Sequence, residues 1–256
     1  MKPNFGFTFG RTPESQSQEY QELVKRLEEQ AKTQTTTPDV QEPQPRESQT
    51  GKGDINGKWV YVPSINTSFA VERSNNNLDW TETHKPLIHQ GLRMPTPRET
   101  WELIFYLKDN IGNPEHKRVY DDILKTTPAG TWHGEWQNAY FTQENGKFYI
   151  QNVTKINKKG ELEFGNKKEL TDYLNSDVWA DTSSRANISD EGLCKSTSNL
   201  GTYAQGGNIY FRKPRDKSVA RFSADSGRAY LNCCGVPSGR GASLGVRVCA
   251  EGTRKK

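Results

Sequence analysis

The chain has 256 residues, of which 32% are hydrophobic, and a formal net charge of +4. No stretch reaches the roughly 18 apolar residues of a membrane span, and the opening MKPNFGFTFGR lacks the apolar core of a signal peptide. The charge is mixed in sign and too small to indicate a nucleic-acid partner. We therefore expect no membrane span, no nucleic-acid partner, and a cytoplasmic or virion-associated location.

The first 56 residues differ in character from the rest of the chain. An apolar stripe with helical spacing is formed by Tyr20, Leu23, Val24, Leu27 and Ala31. The segment TQTTTPDVQEPQPRESQTGKGD that follows is rich in Thr, Gln, Pro and Glu, a composition typical of disorder. We predict an N-terminal amphipathic helix and disordered linker over residues 1–56, with self-association through the helix as one use of its apolar face.

A folded domain is predicted over residues 57–256. The runs KWVYVP and SFAVERS have the composition of β-strands. Thr96 and Glu99 flank Pro97 in a capping-box pattern, which predicts a helix that ends near Gly112. A second helix is predicted to begin at Asn113, where Pro114 can occupy its first turn.

The second half of the domain is predicted to be mostly strands and loops. A hairpin with its turn near residues 158–160 is predicted in KFYIQNVTKINKKGELEF. A short helix is predicted in KKELTDYL, and a long loop is predicted over residues 179–208. The runs NIYFRKP, SVARFS and LGVRVCAE complete the strands. We predict an α+β fold with two helices, short antiparallel strands and long irregular loops, in which the last strand pairs near the first.

The cysteines and histidines do not form a recognisable metal motif. Cys194, Cys233, Cys234 and Cys249 lack the spacing of a zinc finger or ribbon, and the four histidines are scattered. We therefore expect no metal and no cofactor.

The segment from Val219 to Ala250 uses a restricted set of amino acids. It contains no Lys, Glu, Gln, Met or Trp, although the rest of the chain is rich in the first three. Chance is one explanation, because Gly/Ser-rich loops have biased compositions.

Two short patches resemble domains of the formylglycine-generating-enzyme type. GLRMPTPRETWEL at residues 91–103 resembles their Arg-Leu-Pro-Thr-x-x-Glu-Trp-Glu pattern, and ASLGVRVC at 242–249 resembles their closing Gly-Phe-Arg-Val strand. The resemblance implies a C-type lectin-like fold over residues 57–256. Oxidising members bind copper through a cysteine pair, and the adjacent Cys233 and Cys234 do not reproduce its spacing. An oxidase of this type remains an alternative function.

The restricted segment resembles the variable region of proteins diversified by retroelements, which are similar in fold. Their variable codons derive from AAC or AAT by mutation of adenines, and such changes cannot produce Lys, Glu, Gln, Met or Trp. The resemblance implies a non-enzymatic protein that recognises a protein or glycan ligand through a hypervariable region at about 219–250. A structural virion component is a further alternative, since a tethering N-terminal segment suits one.

Within this region we distinguish a framework from a ligand-binding set. The predicted framework consists of Val219, Arg221, Phe222, Ala229, Leu231, Leu244, Val246 and Val248. The predicted variable, ligand-binding positions are Ser223, Asp225, Gly227, Tyr230, Asn232, Cys234, Gly235, Val236, Gly239 and Gly241. Apart from Asn232, which is included because it keeps the template's Asn, these positions are expected to be exposed. Tyr230 is expected to be the main apolar anchor, with Asp225 and Arg228 adding polar selectivity.

Overall fold

The computed structural model describes residues 59–74 and 76–252, which belong to one compact unit, Ser48–Lys256. The N-terminal helix and linker predicted over residues 1–56 lie outside the described residues. The described part has an α+β architecture with a curled main sheet. None of its helices has the length and apolarity that a bilayer crossing demands.

Three α-helices lie in the described ranges: α1 (Trp80–His89), α2 (Pro97–Asp109) and α3 (Pro114–Leu124). The predicted start of α2 is confirmed, because the Thr96 side chain accepts from the Glu99 amide and the Glu99 side chain accepts from the Thr96 amide. The start of α3 is also confirmed, with Asn113 as its cap.

The prediction of two helices was wrong, because it missed α1. This segment contains Pro86, and its apolar residues are few, so it does not read as a helix. Asp79 and Glu82 begin it through a second capping box, and Trp80 and Leu87 are buried by tertiary packing. Packing therefore stabilises a helix that local propensity alone disfavours.

Thirteen strands lie in the described ranges. They are β1 Trp59–Val62, β2 Thr67–Ala70, β3 His133–Glu144, β4 Lys147–Gln151, β5 Val153–Ile156, β6 Leu162–Phe164, β7 Lys168–Glu169, β8 Val178–Asp181, β9 Asn208–Arg212, β10 Ser218–Ala224, β11 Ala229–Gly235, β12 Leu244–Gly245 and β13 Cys249–Glu251. The predicted turn at 158–160 is confirmed between β5 and β6, but KFYIQ, which was predicted to belong to the same hairpin, forms β4 and pairs with β3. The short helix predicted in KKELTDYL was wrong, because its first residues pair with β4 as strand β7.

A small sheet joins the two ends of the domain in the order β1-β2-β13. The predicted return of the last strand to pair near the first is thus confirmed, since Cys249 of β13 pairs with Phe69 of β2, the neighbour of β1. The main sheet has the order β7-β4-β3-β10-β11-β9-β8, with β12 beside β3. The β10–β11 hairpin therefore lies at its centre.

The prediction of purely antiparallel strands was wrong. β9 runs parallel to β11 and β12 runs parallel to β3. The β10–β11 hairpin lies between β3 and β9, so the chain leaves β9, passes to β10 and returns in β11 along the direction of β9. Such a crossover cannot be read from strand composition, because both pairings suit the same residues.

One face of the main sheet, the inner face, packs against α2. Phe222 of β10 is 1% exposed and meets the Trp101 ring edge to face, with 5.0 Å between ring centroids. The Trp101 indole N–H donates to the Gly192 carbonyl at 3.0 Å. Gly192 has φ of +85°, and a Cβ there would lie 2.1 Å from the Arg98 amide nitrogen, so only glycine suits this contact. The core thus fixes the backbone of the central hairpin.

A buried ion cluster also joins the last part of the chain to β3. The Arg247 guanidinium donates to Glu135 at 2.8 Å and to Asp122 at 2.6 Å, and Arg247 is 1% exposed. It also donates to the carbonyls of Ala70 and Val71. The terminal nitrogens of Arg247 thus meet charged and backbone acceptors, as a buried charge requires, whereas its Nε atom is buried without a hydrogen-bond partner among the described residues.

Candidate functional site

The other side of the main sheet, the outer face, carries a transverse row of side chains. Trp179 is paired with Tyr210, Tyr210 with Tyr230, Tyr230 with Ser223, and Ser223 with Gly134. Cross-strand partners point to the same side of a sheet, so these residues share one face. The row therefore places two of the predicted variable positions among aromatic residues from β8 and β9.

A second row on the same face lies two residues further along each strand. It consists of Arg212, Asn232, Arg221 and Trp136. Arg212 lies 3.9 Å from Asp177, whereas Trp136 is fully buried. The outer face is therefore exposed at Arg212 of β9, partly exposed at Tyr210 and Tyr230, and buried at Asn232 and near β3.

An open trough of about 600 Å³ runs over this face. Its lining residues come from the 130–132 loop, from β8, and from the β10–β11 turn with the start of β11. They are Gly130, Thr131, Trp132, Trp179, Asp225, Ser226, Gly227, Arg228 and Tyr230. The predicted variable segment thus forms one wall, and residues outside it form the other.

Two arginines stack on aromatic rings of this face. The Arg228 guanidinium lies 4.2 Å from the Tyr210 ring centroid and 6.0 Å from that of Tyr230. Arg221 lies 5.5 Å from the Trp132 ring centroid. These distances are in the range of cation–π attraction, which orients a guanidinium without using its hydrogen-bond donors.

Neither of these arginines has an acidic partner in the described part of the chain. Every other described arginine has a carboxylate oxygen within 4.0 Å, whereas Arg221 and Arg228 have none. The Nε atom of Arg221 is buried without a hydrogen-bond partner. Burial lowers the pKa of Arg221, and Arg212 adds to that lowering by repulsion. The outer face thus carries two arginines that have no described carboxylate within salt-bridge distance.

The β10–β11 turn is held by Asp225. Its carboxylate accepts from the amides of Gly227 at 2.8 Å and Arg228 at 3.1 Å, and its own amide donates to the Arg228 carbonyl. Such an arrangement is a normal turn role for Asp. Asp225 therefore lines the trough and also shapes it.

The predicted variable positions divide into accessible and buried groups. Gly227 is exposed and Val236 is 65% exposed, while Asp225, Tyr230, Cys234, Gly239 and Gly241 are partly exposed. A Cβ on Gly239 would lie 3.0 Å from the Val236 carbonyl, and one on Gly241 would lie 3.2 Å from Trp132. These two glycines accept side chains less readily than Gly227, where the nearest atom is 3.6 Å away.

The expected exposure of Ser223 and Gly235 was wrong, and Asn232, also predicted to contact ligand, is buried too. Ser223 is 1% exposed because the Trp132 ring lies beside it over Gly134. A Cβ on Gly235 would lie 2.9 Å from the Val219 carbonyl. Asn232 is 2% exposed and accepts from the Cys234 amide at 2.9 Å, beside a bulge in β10.

The predicted framework is confirmed at every apolar position. These are Val219, Phe222, Ala229, Leu231, Leu244, Val246 and Val248, all buried. Arg221 was wrongly assigned to the framework, because strand alternation places it on the outer face beside Ser223 and opposite Phe222.

Three aromatic residues of the site were not predicted. Trp132, Trp179 and Tyr210 lie outside residues 219–250, so the restricted alphabet could not indicate them. No local pattern marked them, because Trp and Tyr are often buried in cores and their partial exposure is seen only in the folded domain. Their convergence required the sheet order.

The cysteines are separated by the strand geometry. Cys233 is buried on the inner face, whereas Cys234 is partly exposed on the outer face. Burial raises the pKa values of Cys194, Cys233 and Cys249, which keeps these thiols protonated. Within residues 59–74 and 76–252, no group of three or more His, Cys, Asp or Glu side chains could hold a metal ion.

Comparison of the chain with protein-family models, with curated proteins and with solved structures found no significant match.

Proposed function

We propose that this chain is a ligand-binding protein that recognises its ligand with the outer face of the main sheet. The observation that carries the proposal is that the segment of restricted alphabet supplies both central strands, β10 and β11, and the turn between them. Gly227 and Tyr230 of this segment line the open trough, and Cys234 is partly exposed on the same face.

We further propose that the domain is a variable protein of a diversity-generating retroelement with a C-type lectin-like fold. The capped helix α2, the pairing of β13 with β2 and the long irregular stretch at 182–207 support that fold. The absence of Lys, Glu, Gln, Met and Trp from 219–250 supports diversification at adenines. The opposite orientations of Cys233 and Cys234 favour binding over a copper oxidase that uses this pair.

The fold provides a rigid support for exchangeable side chains. Phe222 and Leu231 on the inner face are buried in the core, so the backbone of the hairpin is held whatever occupies the outer face. Tyr230 provides an aromatic anchor with few rotatable bonds, which loses little entropy on binding. Changing accessible residues can therefore alter ligand choice without altering the fold.

Randomising accessible positions is expected to leave the protein folded. In one library, Gly227, Tyr230 and Val236 are replaced with all residues that mutation of AAC adenines can encode. We expect most members to resist protease as the parent does, because exposed substitutions usually change stability by less than about 0.5 kcal/mol. Survival is measured by display of the full chain, protease treatment and sequencing.

The matched control library applies the same codons to Ser223, Asn232 and Gly235. Most members are expected to be lost, since overpacking or unsatisfied burial costs about 1–3 kcal/mol per site. Equal survival of the two libraries would mean that the outer face is not organised as proposed. Equal loss would mean that its accessible positions cannot vary.

The retroelement assignment is tested by sequencing the DNA that flanks the gene. We expect a second copy of the coding sequence for residues 219–250 that differs at adenines, next to a reverse-transcriptase gene. The exchanged codons should include those of Tyr230 and Gly227. A locus without such a copy would exclude diversification while leaving ligand binding open to the library test.

A further inference from the structure

Several side chains of the outer face are not among those predicted to vary. Trp132, Trp179 and Tyr210 lie outside the restricted segment, and Arg221 and Arg228 lie within it at positions that we did not assign to variation. Such residues would be presented to every ligand that the variable positions select. They therefore determine what those ligands have in common.

The two arginines present hydrogen-bond donors that the described residues leave without carboxylate partners. Their guanidinium groups lie over the rings of Trp132 and Tyr210. An arginine has donors along the edge of its plane, and stacking leaves that edge available. In Arg221 the Nε atom is buried, so its terminal nitrogens are the donors offered to a ligand. Every other described arginine, including Arg212 on the same face, has a carboxylate partner, so the lack of one distinguishes Arg221 and Arg228.

We propose that the partner is a protein surface that presents Asp or Glu carboxylates to Arg221 and Arg228, with Trp132 and Trp179 packing against the residues around them. The inference rests on the proposed function and adds the chemistry of its ligands. The variable positions then select among acidic protein surfaces.

The form of the surface favours a protein over a saccharide. The trough is open and is flanked by Trp132, Trp179 and Tyr230, and Trp, Tyr and Arg are the residues that most often dominate the energy of protein interfaces. An arginine that is stacked before binding loses little further entropy when it pairs with a carboxylate. Charge-assisted hydrogen bonds are also stronger than neutral ones, which suits a shallow site.

Asp225 limits where an acidic residue can dock. It lines the same trough, and its Oδ1 atom is held by the turn amides of Gly227 and Arg228. A ligand carboxylate placed beside Asp225 would be repelled, so the carboxylates are directed toward the stacked guanidinium groups. The trough thus combines attraction with a repulsive boundary, which favours one orientation of the partner.

The test uses the full chain and two labelled peptides of equal length. One repeats Glu-Tyr-Gly and the other repeats Gln-Tyr-Gly, so they differ only in their carboxylates. Fluorescence anisotropy is expected to show at least about tenfold tighter binding of the acidic peptide, because hydrogen bonds to a charged acceptor are stronger than those to a neutral amide. Substituting Arg228→Gln or Arg221→Gln should remove most of that preference.

The matched control is Arg118→Gln, which removes the same charge from α3. Arg118 is exposed and pairs with Glu72 and Glu115, away from the outer face. It should keep the preference for the acidic peptide. Equal loss in all three variants would show that net charge alone causes binding, and it would overturn the proposal. Circular dichroism of each variant verifies that the fold is retained.

Two further results would also overturn the proposal. One is equal binding of both peptides, and the other is tighter binding of a labelled hyaluronan fragment than of the acidic peptide, which would indicate an acidic saccharide. Either result would leave the proposed function standing if the accessible library remains folded and the control library does not. Failure of the libraries would instead remove the proposed function itself.

Discussion

Replacing Glu135 with Leu is expected to lower the free energy of unfolding by about 3–5 kcal/mol, because it leaves the buried Arg247 cation without one of its carboxylates. Glu135 is 2% exposed and accepts from Arg247 at 2.8 Å. Urea unfolding followed by tryptophan fluorescence measures the change. The m-value should stay constant if the folded and unfolded states expose the same surface as before.

A second substitution separates the energy of the pair from the cost of breaking it. In the double variant Glu135→Leu with Arg247→Met, no unpaired buried cation remains, so most of the lost stability should return. Asp122 keeps a partner in that variant, because Arg73 lies 3.2 Å from it. This account would be contradicted if the double variant lost as much unfolding free energy as the two single variants lose together.

Replacing Phe222 with Ala is expected to destabilise the domain by about 3–5 kcal/mol, since it leaves a cavity beside Trp101. The two rings meet at 5.0 Å, and Phe222 is 1% exposed. The unfolding midpoint in urea should fall accordingly. The neighbouring outer-face substitution Tyr230→Ala is the control and should cost far less, because Tyr230 is only partly buried.

The contrast between these two variants also tests the orientation of the central hairpin. Phe222 and Tyr230 come from adjacent strands, β10 and β11, but face opposite sides of the sheet. If Tyr230→Ala were as destabilising as Phe222→Ala, the outer face would be part of the core. The binding surface proposed above would then not exist.

Local sequence determined the elements that carry their own start and stop signals. The capping box at Thr96, the cap at Asn113 and the turn at Gly160 need only neighbouring residues, so α2, α3 and the β5–β6 hairpin were predictable. The assignment of Phe222 and Leu231 to the framework likewise predicted their burial, because large apolar side chains are mostly buried.

Tertiary structure decided which residues of the restricted segment reach a ligand. Ser223 looked exposed in sequence, yet it is buried beside Trp132, a residue more than ninety positions earlier in the chain. Arg221 looked like framework, yet it stacks on that same ring. Burial and pairing depend on neighbours brought together by sheet order, and residue identity within one segment does not contain that information.

The sequence by itself therefore determined the α+β class, two of the three described helices and the segment of restricted alphabet. Only the tertiary structure decided that this segment forms the centre of the main sheet, and that Trp179 and Tyr210 lie beside Tyr230. The physical reason is the distance along the chain between the residues that stabilise each feature. Caps and turns are stabilised by atoms a few residues apart, whereas the outer face is assembled by long-range strand pairing that no local pattern specifies.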